Sequence, residues 1–145
     1  MPVKKVSVEV VLPLRQKILR PGKPIDQCLF DGDRAKESFH LAVEENGQII
    51  AVASYLPQSC SFSSAQNQYR LRGMAVSPDH RGKGLGRELF AAGIDCLKER
   101  KCLFLWFNAR ASALDFYRKS DCRLLSGAFQ IPDIGPHYAM GKSLS

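Results

Sequence analysis

The stretch PDHRGKGLGRELF, residues 78–90, sets Gly82, Gly84 and Gly86 alternately among Arg81, Lys83, Leu85 and Arg87, where a strong helical period begins. A turn that runs through glycines into a helix leaves the N–H groups of residues 82–87 without intrahelical acceptors, at the positive end of the helix dipole. An anion supplies what those donors lack. Glycine lets it approach, because no β-carbon holds it off the backbone and positive φ is cheap. The spacing is neither the P-loop G-x-x-x-x-G-K-[S/T] nor the dinucleotide fingerprint G-x-G-x-x-G after a first strand. The alternative is a flexible helix-capping turn, but each glycine costs about 1 kcal/mol wherever it falls inside the helix.

Strands and helices must carry this cradle. Val6, Val8 and Val10 recur at period two and predict a first strand, with Pro13 and the Pro21-Gly22 stop bounding a short helix or turn over residues 13–20. Residues 21–38 read as a loop with a short helical segment. Asn46-Gly47 between two branched apolar runs predicts a type I′ hairpin and hence strands two and three. In YRLRGMAV, residues 69–76, the period of a fourth strand breaks at Gly73, as a bulge at Gly73 and Met74 would make it. Leu85, Leu89, Phe90, Ile94 and Leu97 trace an amphipathic helix. The uniformly apolar CLFLWFN predicts a strand buried on both faces, SALDFYRKS a helix with Ala113, Phe116 and Tyr117 inward, and CRLL and HYAMGKSL the last strands.

The 145 residues carry no repeat, low-complexity tract or linker, so one domain over 1–145 is expected. With 45% hydrophobic and 24% charged residues, disordered and fibrous classes are excluded. Cys28, Cys60, Cys96, Cys102 and Cys122 are odd in number and contain no C-x-x-C, which argues for reduced thiols rather than a disulfide framework or a zinc site. Neither a signal-peptide apolar block nor a bilayer-spanning run is present, so a cytoplasmic protein without membrane contact is expected. The net charge of +7 favours an anionic partner: nucleic acid, lipid headgroups or a phosphorylated cofactor.

RGMAVSPDHRGKGLGRELF, residues 72–90, closely resembles motif A of the GNAT superfamily of N-acetyltransferases, [R/Q]-x-x-G-x-[G/A] after a fourth strand, with Arg81, Gly84 and Gly86 in register. The resemblance runs from the first strand to GPHYAM, residues 135–140. It implies an α/β (α+β) fold: a mixed, mostly antiparallel sheet of six to seven strands flanked by helices and splayed between strands four and five. It also implies acetyl-CoA (coenzyme A) as cofactor, its pyrophosphate on the loop amides and Arg81, Lys83 and Arg87, its pantetheine arm against the backbone of Met74 and Val76. An N–H near Met74 or Ala75 would then polarise the thioester carbonyl. Tyr117 occupies the position of the tyrosine that protonates the leaving thiolate, with packing in the core as its alternative role.

Departures from the pattern bear on the site. Where the family often has Asn, seven residues before the tyrosine, stands Arg110, with Asn108 two residues earlier; either side chain could reach the pantetheine or phosphates. Asp121-Cys122 replaces the usual Gly-Phe, and Asp enters the left-handed region less readily than Gly. Arg72 stands where many relatives carry a glutamate base, and an arginine cannot accept the ammonium proton. A water chain, His137, Glu9, Asp26 or Asp31 are the candidates for that role. Arg15, Arg20 and Lys23 lie in the region that shapes the acceptor pocket, where they either bind an anionic group of the acceptor or are solvated. LRPGKPID and IGPHYAM are similar to a bacterial subgroup of undetermined acceptor.

The expectation is therefore an acyl-CoA-dependent N-acetyltransferase acting on a primary amine of a small molecule or peptide by direct attack in a ternary complex, with no metal. A homodimer is compatible with it. Its rivals are an acyl-CoA-binding module without catalysis and, on charge alone and without any recognition motif, a nucleic-acid-binding protein.

Overall fold

In the computed structural model, which describes residues 2–144, β1 (Val3–Val6) gives way at Ser7 to α1 (Val8–Leu19). The strand expected through Val10 is thus cut short and the helix begins earlier than residue 13. Val8, Val11, Leu12 and Arg15 are buried along α1, at the i, i+3, i+4, i+7 spacing of a helical stripe. Val8 satisfies both periods, and the one that buries a whole face prevails. Pro13 lies inside α1, where the amide it lacks would have bonded the carbonyl of exposed Glu9.

A 3-10 turn (Ile25–Cys28) precedes β2 (Phe39–Glu45), which returns through Asn46 and Gly47, at φ 52° and 78°, into β3 (Gln48–Pro57). These two positive angles are what the hairpin turn requires. β4 (Gln68–Val76) leads through a 3-10 turn (Pro78–His80) into α2 (Leu85–Glu99). β5 (Phe104–Arg110), a 3-10 turn (Ala111–Ala113), α3 (Leu114–Arg118), β6 (Arg123–Leu124), β7 (Phe129–Ile131) and β8 (Gly135–Ser143) complete the chain. All eight strands join one sheet in the order β1-β2-β3-β4-β5-β8-β6, with β7 on β8. β7 is one strand beyond the six or seven expected; its three residues are too few to show alternation. Asp121 adopts φ 64° after α3, so the departure from Gly is accommodated without losing the left-handed turn.

The two faces of the sheet carry separate apolar layers. Ala42, Val52 and Ala75 meet Val8, Val11 and Leu12 of α1, whereas Leu41, Ala51, Ala53 and Tyr55 meet Leu89, Phe90, Ile94 and Leu97 of α2. The Tyr55 hydroxyl donates to the Leu89 carbonyl at 3.0 Å. Gly93 makes that approach possible, since a β-carbon there would lie 2.1 Å from the Tyr55 ring.

Two irregularities open the sheet where a ligand can enter. β4 and β5 are parallel and pair only at Gln68↔Phe104, Tyr69↔Leu105 and Arg70↔Trp106; beyond these both strands run on unpaired with each other. On the other edge of β4, Val52 pairs with Ala75 and Ser54 with Arg72, so Ala53 faces both Gly73 and Met74. That is the expected bulge, with Gly73 at φ 70°.

Candidate active site

The first part of the site is the turn between β4 and α2. Gly82 and Gly84 have φ of 78° and 80°, and a β-carbon on either would meet nothing within 4 Å. Their glycine identity thus serves backbone conformation and open space rather than packing. The first α2 bond runs from the Glu88 N–H to the Gly84 carbonyl at 3.0 Å, and the amides of residues 82–87 have no backbone acceptor among the described bonds. A cavity of about 480 Å³ lies over them, lined by Arg81, Gly82, Gly84, Leu85, Gly86 and Arg87, and on its far side by Met74, Val76 and Phe116. Lys83 is exposed and lies outside this lining. His80, which lines the cavity and is held at 3.2 Å by Glu45, was not anticipated.

Tyr117 joins this cavity to a second one. Met74, Ala113 and Tyr117 line both. The Tyr117 ring is wedged against Phe107, Phe116 and Phe90 at centroid distances of 4.2, 4.9 and 5.9 Å, and its hydroxyl is directed at the Met74 sulfur 4.0 Å away. Burial, with Cys122 adding to it, pushes the phenol well above its ordinary pKa, so the hydroxyl keeps its proton as a donor. Ala75 turns its side chain into the α1 layer, leaving only its backbone for the site. The β5-facing edge of residues 71–76 has no strand partner among the described residues, which leaves backbone groups for an extended ligand to pair with.

The second cavity, of about 330 Å³, occupies the gap between β4 and β5. Arg20, Arg70, Arg72, Asn108, Arg110 and His137 line it, and no aspartate or glutamate does among the described residues. Asn108 and Arg110, either of which was expected to reach the pantetheine or the phosphates, line this cavity and not the glycine-lined one. His137 is buried, only 5% exposed. Its Nδ1–H donates to the Gly135 carbonyl at 3.0 Å, which leaves Nε2 as the basic nitrogen of the neutral ring. Arg70 and Arg72 share one face of β4 by strand alternation, a signal present in YRLRGM although the arginines went unassigned. Burial first, then Arg72, lowers the Arg70 pKa to about 10; burial and Arg20 lower that of Arg72.

Arg15 does not reach this cavity. It is fully buried, its guanidinium bidentate to Asp33 at 2.7 and 3.2 Å and bonded to the Cys28 carbonyl and Ser54 hydroxyl at 2.9 and 2.8 Å. The helical stripe that turned β1 short turns Arg15 inward, so its expected role toward the acceptor is corrected to a structural one. Asp33 also accepts from the Phe30 N–H at 2.6 Å, and the Phe30 ring stacks on Arg15 at 3.9 Å. The pair thereby fixes the loop whose Phe30 forms a wall of the second cavity. Lys23, Asp26 and Asp31 do not line the cavity. Glu9 is paired with Arg34 at the surface, which removes it as a base.

Comparison with known proteins gives the family and the fold. Residues 12–121 match the acetyltransferase (GNAT) family. The chain is 39% identical over 142 residues to the uncharacterized N-acetyltransferase YitI of Bacillus subtilis (strain 168), spanning 98% of this chain and 95% of that one. Among solved structures, Escherichia coli ElaA superposes with a TM-score of 0.79 at 18% identity, covering 97% of this chain and 98% of its own. An aminoglycoside 6'-N-acetyltransferase complexed with coenzyme A gives 0.76 at 12% identity, covering 100% and 98%. No described helix is long and apolar enough to cross a membrane.

Proposed function

The chain belongs to the GNAT acetyltransferase family and transfers acetyl from acetyl-CoA; from that premise we propose that it acetylates a primary amine of a small molecule by direct attack, with Tyr117 as proton donor and His137 as base. The observation that carries this reading is the pair of cavities meeting at Tyr117, one over free helix-terminal amides and the other in the gap between β4 and β5. The glycine-lined cavity suits phosphates, because Gly82 and Gly84 leave open space above unpaired donors and Arg81 and Arg87 add charge.

Bound acetyl-CoA would supply an acetyl thioester, so that an ammonium and the thioester yield an amide, the free CoA thiol and one proton. The residues of the chain would do the rest. His137 Nε2 takes the proton that frees the amine lone pair and passes it to water. The positive field of Arg70 and Arg72 works in the same direction, since nearby like charge disfavours the ammonium form. Tyr117 would donate its hydrogen bond and then its proton to the departing sulfur and recover a proton from the newly acylated nitrogen, while a backbone N–H near Met74 or Ala75 would polarise the carbonyl. Holding amine and carbonyl together contributes much of the rate. A cytoplasmic location belongs to this reading, and the five cysteines, all free among the described residues, are consistent with it.

Isothermal titration with acetyl-CoA tests the phosphate cradle. Wild type binds, and folded Gly84→Glu, with a carboxylate over the amides, loses binding at least about tenfold. Undiminished binding by the variant would remove the glycine turn from the phosphate-binding role.

A further inference from the structure

We propose that the acceptor is a small amine that also carries a carboxylate or phosphate group, held by Arg70 and Arg72 with Arg20 and Arg110 at the rim of the second cavity. This rests on the amine-acetyltransferase reading and names the substrate class of that site. Four arginines line a space of about 330 Å³ that no described acidic residue enters. Among the described residues Arg70, Arg72 and Arg110 make no ion pair, and the Arg20 fork makes one hydrogen bond, to the Gln27 carbonyl at 3.1 Å. Arg70 Nε is buried without a hydrogen-bond partner.

Three of the four arginines have their guanidinium carbon over an aromatic ring. Arg72 and Arg20 lie 4.1 and 5.5 Å from the Phe30 centroid, and Arg70 lies 4.8 Å from that of Trp106. A guanidinium stacked on a ring keeps its in-plane N–H donors free, the geometry that meets a carboxylate or phosphate bidentately. Like charges crowded at a half-buried site disfavour the folded chain until a counter-charge arrives. Of the two carboxylates whose charge reaches Arg72, Asp33 is committed to Arg15, and Asp31 lies outside the cavity lining and makes no ion pair with Arg72 among the described residues. The ligand must therefore bring the anion, and a polycationic amine is repelled.

The test measures CoA release with matched acceptors: the standard amino acids and β-alanine against their carboxamides, O-phosphoethanolamine against ethanolamine, and spermidine as a polycation. The anionic member of at least one pair has kcat/KM about tenfold or more above its partner, and spermidine is not turned over. The carboxylate and phosphate arms show which anion is preferred. In Arg72→Gln and Arg70→Gln, checked for unchanged melting behaviour, acceptor KM rises and the preference collapses while acetyl-CoA affinity by titration is retained. Arg72→Lys keeps charge without the fork and recovers only part of the preference. Equal or reversed preference, or variants that weaken acetyl-CoA instead of the acceptor, overturns the proposal and leaves amine acetylation standing. No release with any amine, although acetyl-CoA binds, overturns both.

Discussion

The Tyr117 hydroxyl is aimed at the Met74 sulfur, 4.0 Å away, and these two side chains form the threshold between the glycine-lined and arginine-lined cavities. A weakly accepting thioether is a poor partner for a buried phenol, so the hydroxyl remains available to a better one. Tyr117→Phe keeps the ring packing and removes only the donor. It lowers kcat by about 10²-fold with little change in acetyl-CoA affinity, measured by steady-state kinetics beside titration. An unchanged kcat would return Tyr117 to the core.

His137→Gln retains a side chain of similar reach but no base. At neutral pH its kcat/KM falls about tenfold or more, and it climbs steadily with pH where wild type reaches a plateau, so that the two profiles converge in alkali. A variant profile parallel to wild type would assign proton removal to water alone.

Asp33→Asn strands the Arg15 charge in the interior and is expected to cost about 3–5 kcal/mol in urea unfolding. The double variant Arg15→Met with Asp33→Asn removes that stranded charge. It is less destabilised than the sum of the single variants by about 1–3 kcal/mol. Strict additivity would mean that the bidentate pair at 2.7 and 3.2 Å does not act as a unit.

Burial, assisted by Asp121 and opposed by Lys142, pushes the Cys122 thiol up to about 11 from its ordinary 9.0. Between these values the unfolded chain has lost a proton that the folded chain retains, so stability falls as pH rises from 9 through 11. Tyr117, raised above its ordinary 10.0, acts in the same sense above that pH. Arg70, lowered to about 10 from 12.5, opposes it there, because its unfolded form binds more protons. Melting temperatures between about pH 8 and pH 10 therefore decline, and Cys122→Ser declines less steeply. Identical slopes would show that the buried thiol is not the group responsible.

Much of the glycine-lined turn and the strands around it was legible because their determinants are local. Gly82 and Gly84 mark positive φ, Gly73 marks a bulge, Asn46-Gly47 marks a turn, and the period of α2 points its N-terminus at the cradle. Each depends on neighbours within one turn or strand of sequence. The first helix escaped a local reading for the same reason: Val8 belongs both to the period-two run of Val6, Val8 and Val10 and to the helical stripe of Val8, Val11, Leu12 and Arg15, and only packing of α1 on Ala42, Val52 and Ala75 chooses between them.

What the sequence by itself determined was the family, the acyl donor and a glycine turn at the N-terminus of α2, all carried by residue type at fixed short spacing. Tertiary structure alone decided the arginine-lined cavity. Arg20, Arg70, Arg72, Arg110 and His137 come from α1's end, β4, β5 and β8, and they meet because β4 and β5 part after Arg70 and Trp106. The direction of an arginine, into a buried pair as at Arg15 or into a cavity as at Arg72, is set by which face of its element is covered. That is a property of the assembled layers rather than of any local stretch.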